Sequence, residues 1–367
     1  MSASPLVIIT TRLPPLTCGI GAYSWRVRQH WPNDSSRTRF LVVEGASESR
    51  ALLGCDAIVA FDGDPKKLGK ALDRAGAADL FLHYAGRAYQ RFGCPLWLPG
   101  VLRNWKGKFP AARLMICFHE LPADLALTSP HYWLGLINRR IIRRLAALAD
   151  VLVTNTEHHA EKLRKISGRR DVHCVPVGSN IEQARDPSPS ARARTEFVIF
   201  GLPFARWQTL QSFDSLIRRW QASGRLTALH FIGPDDEKFT ARANALIDQW
   251  PDPRVAIRHG LLPDSEVLRL LQHAQFALTN VTPETWGKST TFMAFAANGC
   301  AVVTHPRYTE AFPLGYTVRV DEVEKISESD LARRTAALKD WYQKNATWAV
   351  IANHLAALLG QKERRES

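Results

Sequence analysis

ETWGKSTT, Glu284–Thr291, contains the Gly-Lys-Ser-Thr run that ends the phosphate-binding loop of many nucleotide hydrolases. That loop needs an earlier glycine, so that bare backbone amides can wrap the phosphates. The required position, five before Gly287, is Thr282, and Pro283 interrupts the approach. The hydrolase reading therefore fails. The neighbouring residues supply another: FALTNV (276–281) is a short apolar strand, GKST opens a helix, and AVVTH (301–305) is the next strand. Strand, turn, helix and strand in succession belong to a parallel α/β sheet.

Outward from this unit the same alternation fills the chain. LVIITT (6–11), FLVVE (40–44), AIVAF (57–61), DLFLHY (79–84), ARLMICFH (112–119) and VLVTN (151–155) are apolar runs separated by helix-like stretches. After a polar, proline-marked stretch at 182–196 it restarts with FVIFG (197–201), ALHFIG (228–233) and VAIRHG (255–260). Continuously apolar strands joined by helices predict parallel sheets covered on both faces. The expected fold is two Rossmann-like, doubly wound parallel-sheet domains facing a central cleft. They span 1–181 and 197–340, joined by a linker at 182–196.

Composition supports a globular chain and excludes several classes. Hydrophobic residues make up 46% and charged residues 23% of 367, the profile of a folded protein. No apolar run approaches the roughly 20 residues of a membrane span, and the N-terminus MSASPLVIITTRLPP lacks the layout of a signal peptide. A cytoplasmic location is expected. Six cysteines without a CxxC pair suggest neither a disulfide framework nor a zinc site. The net charge is +13, and the excess lies early: residues 1–184 hold 25 Lys and Arg against 15 Asp and Glu. Recognition motifs for nucleic acid are absent, and no nucleic-acid partner is expected.

Ligands of open α/β sheets bind beyond the carboxyl ends of the strands, where helix-start amides meet anions. The first strand ends in TRLPPLTCGIGAY, which can bring Gly19 and Gly21 close to a ligand. The fifth runs through His119 into FHELPAD. Gly287, Lys288, Ser289 and Thr290 at the start of a helix suit a diphosphate.

Five segments recur in a set order: TCGIGAY; LHYAGRAY followed by ICFHE; VHCVPVGSNI; HGLLPDSEV through to FAANGCAVV; and WYQKNATWAVIANHLAALL. Together they resemble retaining glycosyltransferases of the two-domain GT-B fold, close to glycosyltransferase family four, over nearly the whole chain. The resemblance implies an acceptor-side N-terminal domain, a nucleotide-sugar-binding C-terminal domain and closing helices at 341–367. It implies that Glu284 faces the donor sugar and that His119 contacts it without acting as nucleophile. Gly19, Gly21, Arg206, Leu262 and residues 287–290 would bind the donor. His83, Tyr84 and Glu120 would lie toward a glycan or lipid-linked acceptor. The donor would be linked to UDP or GDP, with no further cofactor and no metal. One departure is clear: the family's second glutamate, which holds the ribose, is missing, and Phe292 or Ala294 occupies its place.

Two alternatives stand beside the transferase: a binding protein, and a nucleic-acid binder that the basic charge suggests and the absent recognition motifs disfavour. The lost carboxylate is compatible with a catalytically weakened protein that binds sugar nucleotides or glycans. The helix WLGLINRRIIRRLAALAD (133–150), with Arg139, Arg140, Arg143 and Arg144 opposite Leu134, Ile137, Ile141, Leu145 and Leu148, is also suited to peripheral contact with an anionic membrane. Arg103, Lys106 and Lys108 would join it.

Overall fold

The structure is a computed structural model that describes residues 5–16, 18–32, 38–53, 57–123, 130–181, 193–305 and 315–360. It divides into two compact units, Met1–Pro176 with Trp348–Ser367, and Val177–Thr347.

The first unit is built on strands β1 (Leu6–Thr10), β2 (Arg39–Val42), β3 (Ile58–Ala60), β4 (Asp79–Tyr84), β5 (Leu114–Phe118), β6 (Val151–Thr154) and β7 (Val172–Cys174). They form one sheet in the order β3-β2-β1-β4-β5-β6-β7, and each neighbouring pair is parallel. LVIIT of β1 and LMICF of β5 are buried at every position, which is why these strands are continuous apolar runs and not alternating ones. One face, carrying Leu80, Leu82 and Tyr84, packs into a core with residues of α3 (Pro65–Ala75), α5 (Leu98–Lys108), α6 (Pro130–Leu148) and α7 (Glu157–Ser167). Side-chain alternation turns Phe81 and His83 to the other face. There Tyr23 of α1 (Gly19–Gln29) meets His83 and also Trp348 of the final helix, α13 (Trp348–Gly360), edge to face. The remaining helices are α2 (Ala46–Leu53) and the short α4 (Gly86–Tyr89).

The second unit carries β8 (Ala193–Phe200), β9 (Ala228–Ile232), β10 (Ala256–Gly260), β11 (Ala274–Thr279), β12 (Ala301–Thr304) and β13 (Val318–Arg319), in the order β10-β9-β8-β11-β12-β13. Its helices are α8 (Pro203–Ala222), α9 (Glu237–Ile247), α10 (Asp264–His273), α11 (Thr290–Ala297) and α12 (Glu328–Asn345). Phe197 stacks on Trp220 at 5.1 Å and on Phe276 at 4.9 Å, which fixes α8 against β8 and β11.

Strand order reverses between β1 and β4 in one sheet and between β8 and β11 in the other. Crossovers on either side of such a point leave opposite faces, and a crevice opens at the carboxyl ends.

The boundaries differ from those expected. The units part at Pro176 and Val177 because the Val177 amide donates to the Gly287 carbonyl (2.8 Å) and the Ser179 amide to the Tyr342 hydroxyl (3.3 Å). These bonds tie the segment before 182 to the second sheet. Of the expected linker, 182–192 lies outside the described residues and the remainder already belongs to β8. The closing helices are shared: α12 stays with the second unit and α13 returns to the first.

The basic helix α6 also departs from its expected wheel. Ile141, Ile142, Leu145, Ala146 and Ala149 are buried, whereas Ile137 stands 38% exposed. Lys106 and Lys108 do not join its arginines. Lys106 Nζ donates to Asp150 and the Ala112 carbonyl, both at 2.6 Å, and Lys108 Nζ to both Asp73 oxygens.

Candidate functional site

At the carboxyl edge of the second sheet, three neighbouring strands end in glycine: Gly201, Gly233 and Gly260, with φ of 135°, 130° and 65°. Gly201 donates to the Ile232 carbonyl (3.1 Å) and Gly233 to that of Gly260 (2.9 Å). A Cβ on Gly233 would collide with the Gly201 carbonyl, and one on Gly201 would lie 3.2 Å from Thr291 Oγ1 in the first turn of α11. The edge is therefore a backbone ledge without side chains, of the kind that lets a ligand approach closely. Leu262 follows two residues after Gly260 and is half-buried.

The ETWGKSTT turn stands beside this ledge, but its backbone is differently used than expected. A 3-10 turn at Trp286–Lys288 precedes the α-helix. The amides of Thr285 and Trp286 donate to the Thr282 carbonyl, that of Lys288 to Thr285 and that of Ser289 to Trp286. Gly287 is buried. Ser289 caps α11, its hydroxyl accepting from the Phe292 amide at 3.1 Å. The helix thus opens at Thr290; the Phe292 amide goes to the Ser289 hydroxyl and the Met293 amide to the Ser289 carbonyl, so the first-turn amides that meet no carbonyl of the helix are those of Thr290 and Thr291. Trp286 anchors the turn by packing on Phe292 and Trp341. Glu284 and Lys288 are both exposed. Phe292 and Ala294, at the position of the absent second carboxylate, are fully buried.

Arg206, expected at a donor phosphate, turns inward. It is only 7% exposed, and its guanidinium donates to the Pro234 carbonyl and, at 3.2 Å, to Asp235. Its Nε is buried without a hydrogen-bond partner. Arg258 approaches the same carboxylate. Burial, opposed by attraction to Asp235, lowers it below the ordinary guanidinium range. This cluster serves the fold of the α8–β9 corner. Around α8 and the end of β11, Gln208, Gln211, Asn280, Thr282, Thr285 and His305 line a polar recess.

In the first unit the glycine-rich loop resolves into two different residues. Gly19 is exposed and a Cβ on it would meet nothing within 4 Å. Gly21 is buried under Arg12 and Leu13, and its amide donates to Cys18 Sγ, the cap of α1. The structure thus gives Gly21 a packing role against the Arg12 and Leu13 backbone.

His119 follows β5, its amide donating to the Tyr84 carbonyl at 3.0 Å. His83 and Tyr84, expected toward the acceptor, are fully buried. Tyr84 donates to Asn138 Oδ1 (2.8 Å) on the helical side. His83 Nδ1 shares a proton with His119 Nε2 at 2.8 Å. Burial holds the His83 imidazole neutral, its pKa well below the usual value, and His119 pushes the same way. His83 therefore supports His119 from beneath. Glu120 is exposed. Among the described residues, His83, Cys117 and His119 bring nitrogen and sulfur ligand atoms within 4.8 Å of one another. Burial raises the Cys117 thiol far above its usual range, so it stays protonated and is a weak metal ligand.

No protein-family model and no curated protein matches the chain. Solved structures do. The HepE protein of Anabaena, in complex with UDP and glucose, is similar at a TM-score of 0.67 and 12% identity, over 98% of this chain and 100% of that one. The N-terminal domain of trehalose-6-phosphate phosphatase from Candida albicans is similar at 0.68 and 14%, over 98% and 97%. The UDP-forming α,α-trehalose-phosphate synthase of Burkholderia xenovorans, in complex with glucose-6-phosphate, is similar at 0.61 and 10%, over 97% and 100%. The chain has the GT-B fold. At such identities the likeness speaks for the fold alone.

Within this GT-B chain, Glu284, Lys288, Ser289, Thr290 and Leu262 fall on the carboxyl edge of the second unit, and Gly19, His119 and Glu120 on that of the first. Sequence reasoning missed the ledge of Gly201, Gly233 and Gly260. Its signal was present in FVIFG, ALHFIG and VAIRHG, each an apolar strand stopped by glycine.

Proposed function

We propose that the chain is a nucleotide-sugar-dependent glycosyltransferase, similar to family four, that transfers a sugar with retention to a glycan, lipid-linked or small-molecule acceptor. The observation that carries the reading is the likeness, over nearly the full length of both chains, to a protein solved with UDP and glucose. The carboxyl edge of the second sheet supports it. The glycine ledge leaves room for a nucleotide, and Lys288 with the first-turn amides of α11 is suited to the diphosphate.

As the anomeric C–O bond breaks, negative charge grows on the departing diphosphate. Fixed donors and a lysine stabilise it without reorganising. Glu284 holds sugar hydroxyls, and the family resemblance gives His119, hydrogen-bonded to His83, a contact with the sugar without a nucleophile's role. The acceptor hydroxyl attacks from the leaving-group face and passes its proton to the departing phosphate oxygen, so no protein nucleophile and no metal is needed. UDP is the first nucleotide to try, with GDP beside it.

The test is a melting-temperature screen of the protein with UDP, GDP and ADP, followed by product detection with the matching sugar nucleotides. Saturation at about 100 times Kd stabilises a folded protein by about 2.7 kcal/mol, so one nucleotide should give a clear upward shift. No shift with any nucleotide, and no sugar released or transferred across the donor set, would overturn the reading.

A further inference from the structure

We propose that α6 and the loop before α5 form a docking face for an anionic lipid bilayer. The surface stands independently of the donor-site reading.

Trp133, Leu136 and Ile137, within about one turn of one another on α6, are 65%, 40% and 38% exposed. The loop ahead of α5 adds Phe92 at 60% and Leu96 at 57%. The two segments are neighbours, because Cys94 Sγ donates to the Leu134 carbonyl at 3.4 Å. Phe92 and Leu96 each stand two residues from that cysteine, and Trp133 one residue from that carbonyl. A soluble helix places polar side chains outward. Here five large apolar side chains point outward around one contact, which marks an interaction surface.

Arginines continue the stripe. Arg140 and Arg144 follow Trp133 and Ile137 at helical spacing and are exposed, as is Arg143. Arg91 lies over the Phe92 ring at 5.6 Å from its centre. On the flank toward α7, Arg139, Arg143, His158, Lys162 and Lys165 line a recess that also includes Glu161. Arg143 is held there by its Nε bond to the Ile166 carbonyl (2.9 Å).

Apolar side chains beside a basic recess fit a surface that is apolar within and anionic above. Tryptophan and aliphatic side chains enter the interface, while the arginines meet phosphate headgroups. The recess is suited to one headgroup phosphate. A second copy of the chain fits less well, since a two-fold contact would set Arg140, Arg143 and Arg144 against themselves. No described helix is long and apolar enough to cross a membrane, so the contact is with the surface.

The experiment is sedimentation of the full chain with vesicles of phosphatidylcholine alone or with about a third phosphatidylglycerol. Binding is expected only with the anionic lipid and should fall as salt rises. Two variants separate the contributions: Trp133→Ser with Leu136→Ser, and Arg140→Gln with Arg144→Gln, which leaves the Arg143 bond to Ile166 intact. Each should lower the bound fraction at least about fivefold at unchanged melting temperature. Inorganic phosphate at millimolar concentration should compete only weakly. The proposal is overturned by absence of binding to anionic vesicles, or by parent-like binding of the serine variant. It is equally overturned if the arginine variant loses binding to DNA while vesicle binding is unchanged, or if free phosphate abolishes vesicle binding.

Discussion

Gly19 and Gly21 lie two residues apart in one motif, yet the structure assigns them opposite responses to the same substitution. A Cβ at Gly21 would lie 2.8 Å from the Arg12 carbonyl carbon, closer still to its oxygen, and 3.3 Å from Leu13 Cα. These are backbone atoms, so relief requires moving the β1–α1 connection and not merely a side-chain rotation. Overpacking of this kind costs about 1–3 kcal/mol. The backbone obstacle places Gly21→Ala at the upper end, and the helical advantage of alanine over glycine returns about 0.5–1 kcal/mol. A net loss of about 2 kcal/mol corresponds to a fall of roughly 4–8 °C in the melting of a unit this size. At Gly19 the space is open, so Gly19→Ala should leave melting unchanged or slightly raised, and should weaken donor binding if the donor lies against that backbone. Thermal unfolding followed by circular dichroism reads both, with nucleotide titration of the Gly19 variant alongside. A Gly21→Ala protein as stable as its parent would refute the packing argument.

Two other responses follow from the placement of charges. Arg206→Ala removes a buried donor from Pro234 and Asp235 and should cost about 2 kcal/mol in urea unfolding, discounted because Asp235 is partly exposed. Lys288→Ala and Glu284→Ala should instead leave stability within about 0.5 kcal/mol while lowering transfer tenfold or more; parent-like kinetics for both would remove them from the site. His83 provides a pH signature. Its pKa is depressed in the folded protein, so the unfolded chain binds the extra proton, and stability present above about pH 6.5 is lost as pH falls below it. His259 and His354 are displaced in the same direction, so the comparison is between variants. His83→Gln should flatten the acid-side slope by up to about 1.4 kcal/mol per pH unit, and an identical slope would show that His83 is not the group responsible.

The strands were legible because burial on both faces leaves no room for polar alternation. LVIIT and LMICF needed no partner to be recognised. The position of His119 at the sheet's carboxyl edge was legible for a related reason, since it ends such a run. Arg206 was not: a basic residue after a strand looks the same whether it meets solvent or Asp235, and only the β8–β9 pairing brings that carboxylate to it. Ile137 was misplaced because helical spacing assigns it to the core, whereas the actual packing is centred on Ile141, Ile142 and Leu145. His83 and Tyr84 looked accessible at a strand end, but helices on both faces cover them.

The return of α13 to the first unit has a bearing on biosynthesis. The chain emerges from its N-terminus, and Val177–Thr347 is contiguous, so that unit can close as soon as it is made. The earlier one cannot. Until Trp348 arrives against Tyr23, and Arg113 against the Leu359 carbonyl, the face holding His83 lacks its cover. The half translated first is thus completed last, and a protein cut short before α13 would carry an unfinished N-terminal sheet however well its remaining strands had paired.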